Sequence, residues 1–430
     1  MTVDVLSPPA QAERQARTAV AVLFFTNGAL FANLLPRFPQ IKADLGIGNA
    51  AYGLAVAAFP TGAIVAGLAA GALIRRYGSG RVAVAGTVLT GIGVLAAGLS
   101  GSVVLFGTAL LLAGAMDAIT DVAQNAHGLR VQRRYGRSII NSFHAIWSIG
   151  AVTGGSMAAG AIALDLSLGQ HLLISAVVFG IAACVALRFC LTGPDTEPDV
   201  EAAKEETKEE TKEETKEETN GGAVRETGAE SRELAPRRDE KLRKTRLRTG
   251  YVLAALVLIA ASGALVEDAG SSWAALYLSD SLHASGTLAA SGYIALVGAQ
   301  FVGRMIGDRL VDRFGQRAVA RSGGVIAAVG MGLALAVPTA TGTILGFATA
   351  GFGVATLVPA AMHEADELPG LRPGSGLTIV SWLMRLGFLL SPPIVGLVAD
   401  STSLRVGLLV VPLAGLMVMV LAGVLQPRRR

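Results

Sequence analysis

Apolar stretches of membrane-crossing length alternate with short charged knots along this chain. A helix needs roughly 20 apolar residues to cross the hydrocarbon core. That length predicts spans near Ala16–Leu35, Asn49–Ile74, Val82–Leu99, Val103–His127, Ile139–Leu164 and Gln170–Leu191. After a hydrophilic interruption come Gly250–Leu278, Thr287–Leu310, Ala318–Val337, Ala340–Met362, Gly374–Ala399 and Arg405–Gln426. The expected fold is an all-α membrane protein: twelve transmembrane helices in two six-helix pseudo-repeats around a central cavity. The expected divisions are a tail over 1–15, a bundle over 16–191, a linker over 192–249, a second bundle over 250–426 and a tail over 427–430.

An even number of crossings puts both ends on one side, and basic residues choose the side. With cytoplasmic ends, the inner segments hold Arg14, Arg17, Arg75, Arg76, Arg81, Arg130, Arg133, Arg134, Arg137, Arg309, Arg313, Arg317, Arg321, Arg372 and Arg428 to Arg430. The outer loops hold Arg37, Lys42 and Arg405. Both termini are therefore expected in the cytoplasm, with the bundle in a bacterial inner membrane. The opening stretch Met1–Arg17 lacks the layout of a cleavable signal peptide.

Composition sharpens this. Over the 430 residues, 52% are hydrophobic and 16% charged, and much of the charge sits between Glu197 and Arg248. The formal net charge of +4 belongs to membrane orientation, so no nucleic-acid partner is expected. Lys204–Thr219 reads KEET four times. Like charges recur there at i, i+4, and the composition cannot build a core. Disorder or a fraying helix is expected, a tether between the halves. Cys184 and Cys190 fall in one apolar span and are read as small buried hydrophobes.

The halves carry an internal repeat. Arg76-Tyr77-Gly78 aligns with Arg313-Phe314-Gly315, and the same offset relates Gly114 to Gly351 and Gly150 to Gly387. Repeats around a central cavity, with the binding site near the bilayer midplane, are a common plan of secondary transporters.

The stretch from Gly303 to Arg317, GRMIGDRLVDRFGQR, resembles the signature loop of the major facilitator superfamily, which joins helices two and three or eight and nine. Leu35-Pro-Arg-Phe-Pro39, Asp121-Val-Ala-Gln-Asn-Ala-His127 and Ser142-Phe-His-Ala-Ile-Trp147 resemble the MosC-like branch, related to fucose-permease-type carriers. The superfamily resemblance covers everything except the linker and termini. It implies that helices one, four, seven and ten line the cavity.

The resemblance also nominates gating loops: Arg75 and Arg76 in the first half, and Asp312, Arg313, Gly315 and Arg317 in the second. Asp312 is placed to cap the positive N-terminus of helix five near Ser138. The equivalent position in the first half is Arg75, which a helix N-terminus would repel. Arg75 and Arg76 are expected to face Glu364, Asp366 and Glu367, a latch favouring the outward-open state.

Ionisable residues at membrane depth are costly, so they face a cavity or pair with one another. Helix four carries Asp117, Asp121 and Asn125 at i, i+4, i+8, one stripe. Helix five carries His144 and Trp147, with His144 at a depth similar to that of Asp121, so contact between the two is expected. Helix seven supplies Glu267, Asp268 and Trp273; the adjacent carboxylates point about 100° apart, so one at most faces the cavity squarely. Helix one adds Asn27 and Asn33, helix eight Gln300 and Arg304, and helix eleven Trp382 and Arg385. Desolvation raises a carboxylate's pKa and a nearby cation lowers it. Asp117 and Asp121 are the leading proton carriers, with Glu267 or Asp268 behind them. The tryptophans can stack on a sugar ring or anchor at the membrane interface.

These residues suit a proton-coupled carrier of a small polar organic solute, sugar- or polyol-like, acting as a monomer. The alternatives are a proton-antiporting drug exporter, weakened by the lack of proline in helix five, and a non-transporting sensor. No phosphate-binding loop, metal-spaced His/Cys cluster or nucleophile elbow occurs in a suitable context. Neither an enzyme nor a cofactor or metal is expected.

Overall fold

The computed structural model describes residues 11–135, 139–193, 231–368, 371 and 375–426, with the backbone alone for 141 and 231–247. The KEET tract, Ser138, Arg137, Arg372, residues 1–10 and residues 427–430 lie outside the described residues, while 11–15, expected as part of the first tail, open α1. Among those described, twelve helices are long and apolar enough to cross a membrane. They are α1 (Gln11–Leu45), α2 (Asn49–Gly67), α3 (Ser79–Gly98), α4 (Val103–Tyr135), α5 (Ser142–Ala163) and α6 (Leu168–Leu187). The second half supplies α7 (Arg248–Ser281), α8 (Gly286–Phe314), α9 (Gln316–Ala336), α10 (Ala340–Asp366), α11 (Ser375–Ser401) and α12 (Leu404–Val424). The end of the bundle where α1 begins is called the near end below, and the opposite one the far end.

Most expected bounds are met within about five residues, but α1 runs on past Leu35 to Leu45, α2 stops at Gly67 short of Ile74 and α4 runs past His127. The α4 helix runs on to Tyr135, where the Arg130 guanidinium donates to the carbonyls of Thr192 (2.5 Å) and Gly193 (3.3 Å). The buried guanidinium thereby satisfies carbonyls of the chain that leaves α6. The helix leading into α7 starts at Ser231, within the segment expected to be disordered or a fraying helix. Breaks in α2 and α10 lie just ahead of a proline. Pro60 and Pro359 cannot donate to the carbonyl four residues back, and the helices restart at Ala58 and Leu357. Pro392 and Pro393 lie inside an unbroken helical segment, Arg385–Ser401; α11 is interrupted ahead of them, at Met384. Cys184 is exposed on the outer surface of α6 and Cys190 is half-buried, which corrects the expectation that both are buried. In a membrane span an outward apolar side chain meets lipid, so burial in protein is not required of it.

The internal repeat extends into the packing. Gly78 and Gly315 both adopt a positive φ, +86° and +84°, a backbone that side chains with a Cβ resist. Arg76 lies over the Tyr77 ring at 5.2 Å, and Arg313 over the Phe314 ring at 5.5 Å. A Cβ on Gly114 would overlap the Phe59 carbonyl, and one on Gly351 the Leu296 carbonyl. Phe59 and Leu296 stand at the same offset.

Of the helix-five glycines read as packing residues, Gly150 and Gly154 abut the carbonyls of Phe25 and Ala29, and Gly155 meets the Tyr293 ring across the halves. Gly160 has nothing within 4 Å.

Hydrogen bonds joining the two halves cluster at the far end. Lys42 Nζ pairs with Asp280 at 3.0 Å. Asp400 accepts from the backbone N–H groups of Asn49 and Ala50. The Tyr52 hydroxyl donates to the Ser272 carbonyl at 2.8 Å. Towards the near end, Asp121, His144 and Arg304 are exposed. The halves thus meet at the far end, and polar side chains line a cleft that opens away from it.

Candidate solute and proton site

In the first half, Asn27 is the hub. Its Nδ2 donates to Asp117 Oδ1 at 2.7 Å. Its Oδ1 accepts from Trp147 Nε1 at 2.8 Å and from Gln124 Nε2 at 3.4 Å. Three helices are tied here by one amide: α1, α4 and α5. The α1–α5 approach that makes this possible rests on glycine, because a Cβ on Gly28 would overlap the Trp147 carbonyl.

Asp121, one turn from Asp117, is exposed. Its carboxylate accepts from Asn125 Nδ2 at 3.0 Å and Gln124 Nε2 at 3.4 Å. The stripe of Asp117, Asp121 and Asn125 on one helix face is therefore present. The expected Asp121–His144 contact takes a looser form. The two groups are electrostatic neighbours, with Arg385 also within reach of Asp121 and Arg304 within reach of His144. The His144 ring packs edge-on against Phe24, centroids 5.2 Å apart.

In the second half, the adjacent carboxylates of α7 diverge as helical geometry requires. Glu267 Oε2 accepts from Gln300 Nε2 at 2.7 Å and meets Arg304 Nη2 at 3.5 Å. Asp268 turns elsewhere: its Oδ1 accepts from Ser272 Oγ at 3.4 Å. Trp273 is fully buried, edge-on to Tyr52 with centroids 5.0 Å apart. Its ring belongs to the packed far end, where Tyr52 of α2 in the other half packs against it. Trp382 on α11 is 56% exposed.

The gating residues are dispersed in this conformation. Asp312 is exposed and does not make the expected cap on helix five: Ser138 lies outside the described residues, and the Ile139 and Ile140 N–H groups at the helix start donate to Gln132 Oε1 of their own half at 2.8 and 3.0 Å. Among the described residues Arg75 makes no ion pair. Glu364 and Glu367 instead accept from Gln426 N (3.3 Å) and Nε2 (3.0 Å). Arg317 donates to the Leu425 carbonyl at 2.9 Å. The acidic loop and the signature loop thus engage the end of their own half.

Gln124 and Tyr52 are the polar residues that sequence reasoning missed. Gln124 sits inside the quoted Asp121–His127 motif but off the i, i+4 stripe. Tyr52 lies in a span with no neighbouring ionisable group to draw attention to it.

Trp147→Phe keeps the ring and removes the indole donor, leaving an Asn27 lone pair unmet. We expect a loss of about 1 kcal/mol in thermal unfolding and weaker solute binding by isothermal titration. Unchanged values in both would remove Trp147 from the site.

A profile of the Major Facilitator Superfamily matches residues 20–372 and 269–430. The chain is 27% identical to the uncharacterised transporter y4wD of Sinorhizobium fredii, covering 95% of this chain and 97% of that one. It is 26% identical to the membrane protein MosC of Rhizobium meliloti, over 93% and 88%. Among solved structures, a D-xylose–proton symporter superposes with a TM-score of 0.68 at 16% identity, covering 95% of this chain and 96% of that one. The nucleoside transporter NupG gives 0.66 at 12%, covering 96% and 99%.

Proposed function

The chain belongs to the Major Facilitator Superfamily, and on that premise we propose that it is a proton-coupled secondary transporter of a small polar solute, sugar- or polyol-like. It works by alternating access in a bacterial inner membrane with both termini cytoplasmic, and the far end is then periplasmic. The orientation rests on the basic residues gathered at the near end. The conformation described here is accordingly open inward.

The observation that carries the reading is the Asn27 hub, whose amide donates to the Asp117 carboxyl inside the membrane span and is itself fixed in a lattice of bonds from Trp147 and Gln124. A carboxyl in such a lattice is able to bind and release a proton without losing its place. The cleft also presents the exposed Asp121 with its partner Asn125, and the Gln300 and Arg304 amide and guanidinium groups held by Glu267. Paired donors and acceptors of this kind match hydroxyl groups, which both donate and accept. The D-xylose–proton symporter, which shares the fold, couples a sugar to a proton by name, and the same pairing is proposed here. Glu267, Arg304 and Arg385 are assigned to the solute, and Asp117 to the proton.

The test is thermal stabilisation of the purified protein against D-xylose, mannitol, uridine and tetraphenylphosphonium at pH 5.5 and 7.5, followed by flux in proteoliposomes. A pH-dependent shift with a polyol, sugar or nucleoside, and its accumulation under an imposed proton gradient, are the expected results. A shift with the lipophilic cation alone would replace the reading with drug export.

A further inference from the structure

We propose that Asp400 is a far-side latch: its carboxylate caps the N-terminus of α2 across the two halves, and forming or breaking that cap sets the balance between the two open states. The inference rests on the alternating-access reading above.

The geometry is specific. Asp400 is the penultimate residue of α11, in the second half, and it is exposed at the far end. Its Oδ1 accepts from the Asn49 backbone N–H at 2.9 Å and from Asn49 Nδ2 at 2.9 Å. Its Oδ2 accepts from the Ala50 N–H at 2.8 Å. Asn49 and Ala50 open α2, in the first half, whose first N–H groups have no partner within their own helix. Gly48, in an extended conformation at the cap position, offers no side chain to satisfy them. The helix therefore borrows its cap from the other half. A carboxylate at that place also meets the positive end of the helix dipole.

The surrounding sequence is built for the approach. A Cβ on Gly396 would overlap the Asn49 carbonyl, and one on Gly53 the Pro392 carbonyl. A Cβ on Gly48 would stand 3.2 Å from Asp400 Oδ2. Together these glycines let α2 and α11 close to backbone contact around the cap. Lys42–Asp280 adds a second cross-half pair nearby, but it is an exposed ion pair, of a class that contributes little.

Separating the halves at the far end must break all three bonds to Asp400. They are charge-assisted, and water replaces them only partly. At the near end, Asp312 is exposed. There the Ile139 and Ile140 N–H groups that open helix five donate to Gln132 Oε1 within the same half, so among the described residues the cross-half cap is made at the far end and not at the near end.

The experiment measures spin-label distances in a background where Cys184 and Cys190 are replaced by Ser. One pair of labels sits at the far end, on Asp44→Cys and Ser281→Cys. The other sits at the near end, on Tyr77→Cys and Phe314→Cys. In Asp400→Ala we expect the far pair to lengthen and the near pair to shorten, with the ratio of the two populations moving on the order of tenfold. Asp400→Asn keeps one acceptor oxygen and is expected to fall between Ala and wild type. Distances unchanged in a well-folded Asp400→Ala protein would overturn the latch, as would a loss of thermal stability with both pairs merely broadened. Flux through the same proteoliposomes separates the two readings. Wild type that moves no solute defeats the carrier, whereas unchanged distances defeat the latch alone.

Discussion

Asp117→Asn is expected to abolish gradient-driven accumulation while leaving the fold and solute exchange intact. The substitution is nearly isosteric. The new amide oxygen is still able to accept from Asn27 Nδ2, which lies 2.7 Å from the present carboxylate oxygen. The hub therefore keeps its bond to α4, and the Trp147 and Gln124 bonds to Asn27 are untouched. What disappears is the ability to carry a proton. Each pH unit of gradient is worth about 1.36 kcal/mol, so one proton per solute sustains about a hundredfold concentration ratio across about two pH units. With the carrier fixed in its neutral form that ratio collapses to about one. Counterflow, which needs no net proton movement, continues. The measurement compares the two modes in the same proteoliposomes with a solute identified by thermal stabilisation. Accumulation that survives in Asp117→Asn would move the proton to Asp121 or the α7 carboxylates. Loss of counterflow as well would make Asp117 a solute ligand instead.

Fold and site differ in how far the sequence alone discloses them. The twelve spans follow from length and apolarity, because the bilayer imposes one requirement on every crossing segment. The internal repeat is visible at Gly78 and Gly315, where a positive φ restricts the residue type. The site is legible by type and depth but not by pairing. Asp117 and Asn27 both stand out as polar groups in apolar spans, yet nothing in their spacing along the chain joins them. Their meeting depends on α1 and α4 packing at a particular rotation. Helical divergence anticipates that Glu267 and Asp268 part, but not that Gln300 claims the first and Ser272 approaches the second. Trp273 is misplaced by sequence for a related reason. An indole near the end of a span reads equally as interface or cavity, and only the closure of Tyr52 over it decides for burial. Asp400 escapes notice because an acidic residue at the end of a span is ordinary. Its meaning lies in the Gly48-Asn49 helix start, in the opposite half of the chain.

Gly28→Val is expected to be among the most damaging substitutions in the chain, although Gly28 carries no chemistry. A Cβ there would overlap the Trp147 carbonyl and stand 3.2 Å from the Ala151 nitrogen, so rigid backbone of α5, and no flexible side-chain end, would have to give way. Across the same seam Gly150 and Gly154 abut the carbonyls of Phe25 and Ala29. Membrane helices lack a hydrophobic drive to associate with each other, and close packing at small residues carries much of their stability. Forcing a branched side chain into the seam costs on the order of 1–3 kcal/mol by overpacking. It also draws Trp147 away from Asn27, so the hub loses a bond made from the same turn of α5. The expected outcome is a lowered unfolding temperature in detergent together with weakened solute binding. Gly160→Val, on the same helix where nothing lies within 4 Å, is expected to do neither. That contrast separates the seam from a general intolerance of β-branched residues in α5. Equal unfolding temperatures for the two variants would mean that the α1–α5 approach does not hold the site together, and that the hub is positioned by α4 alone.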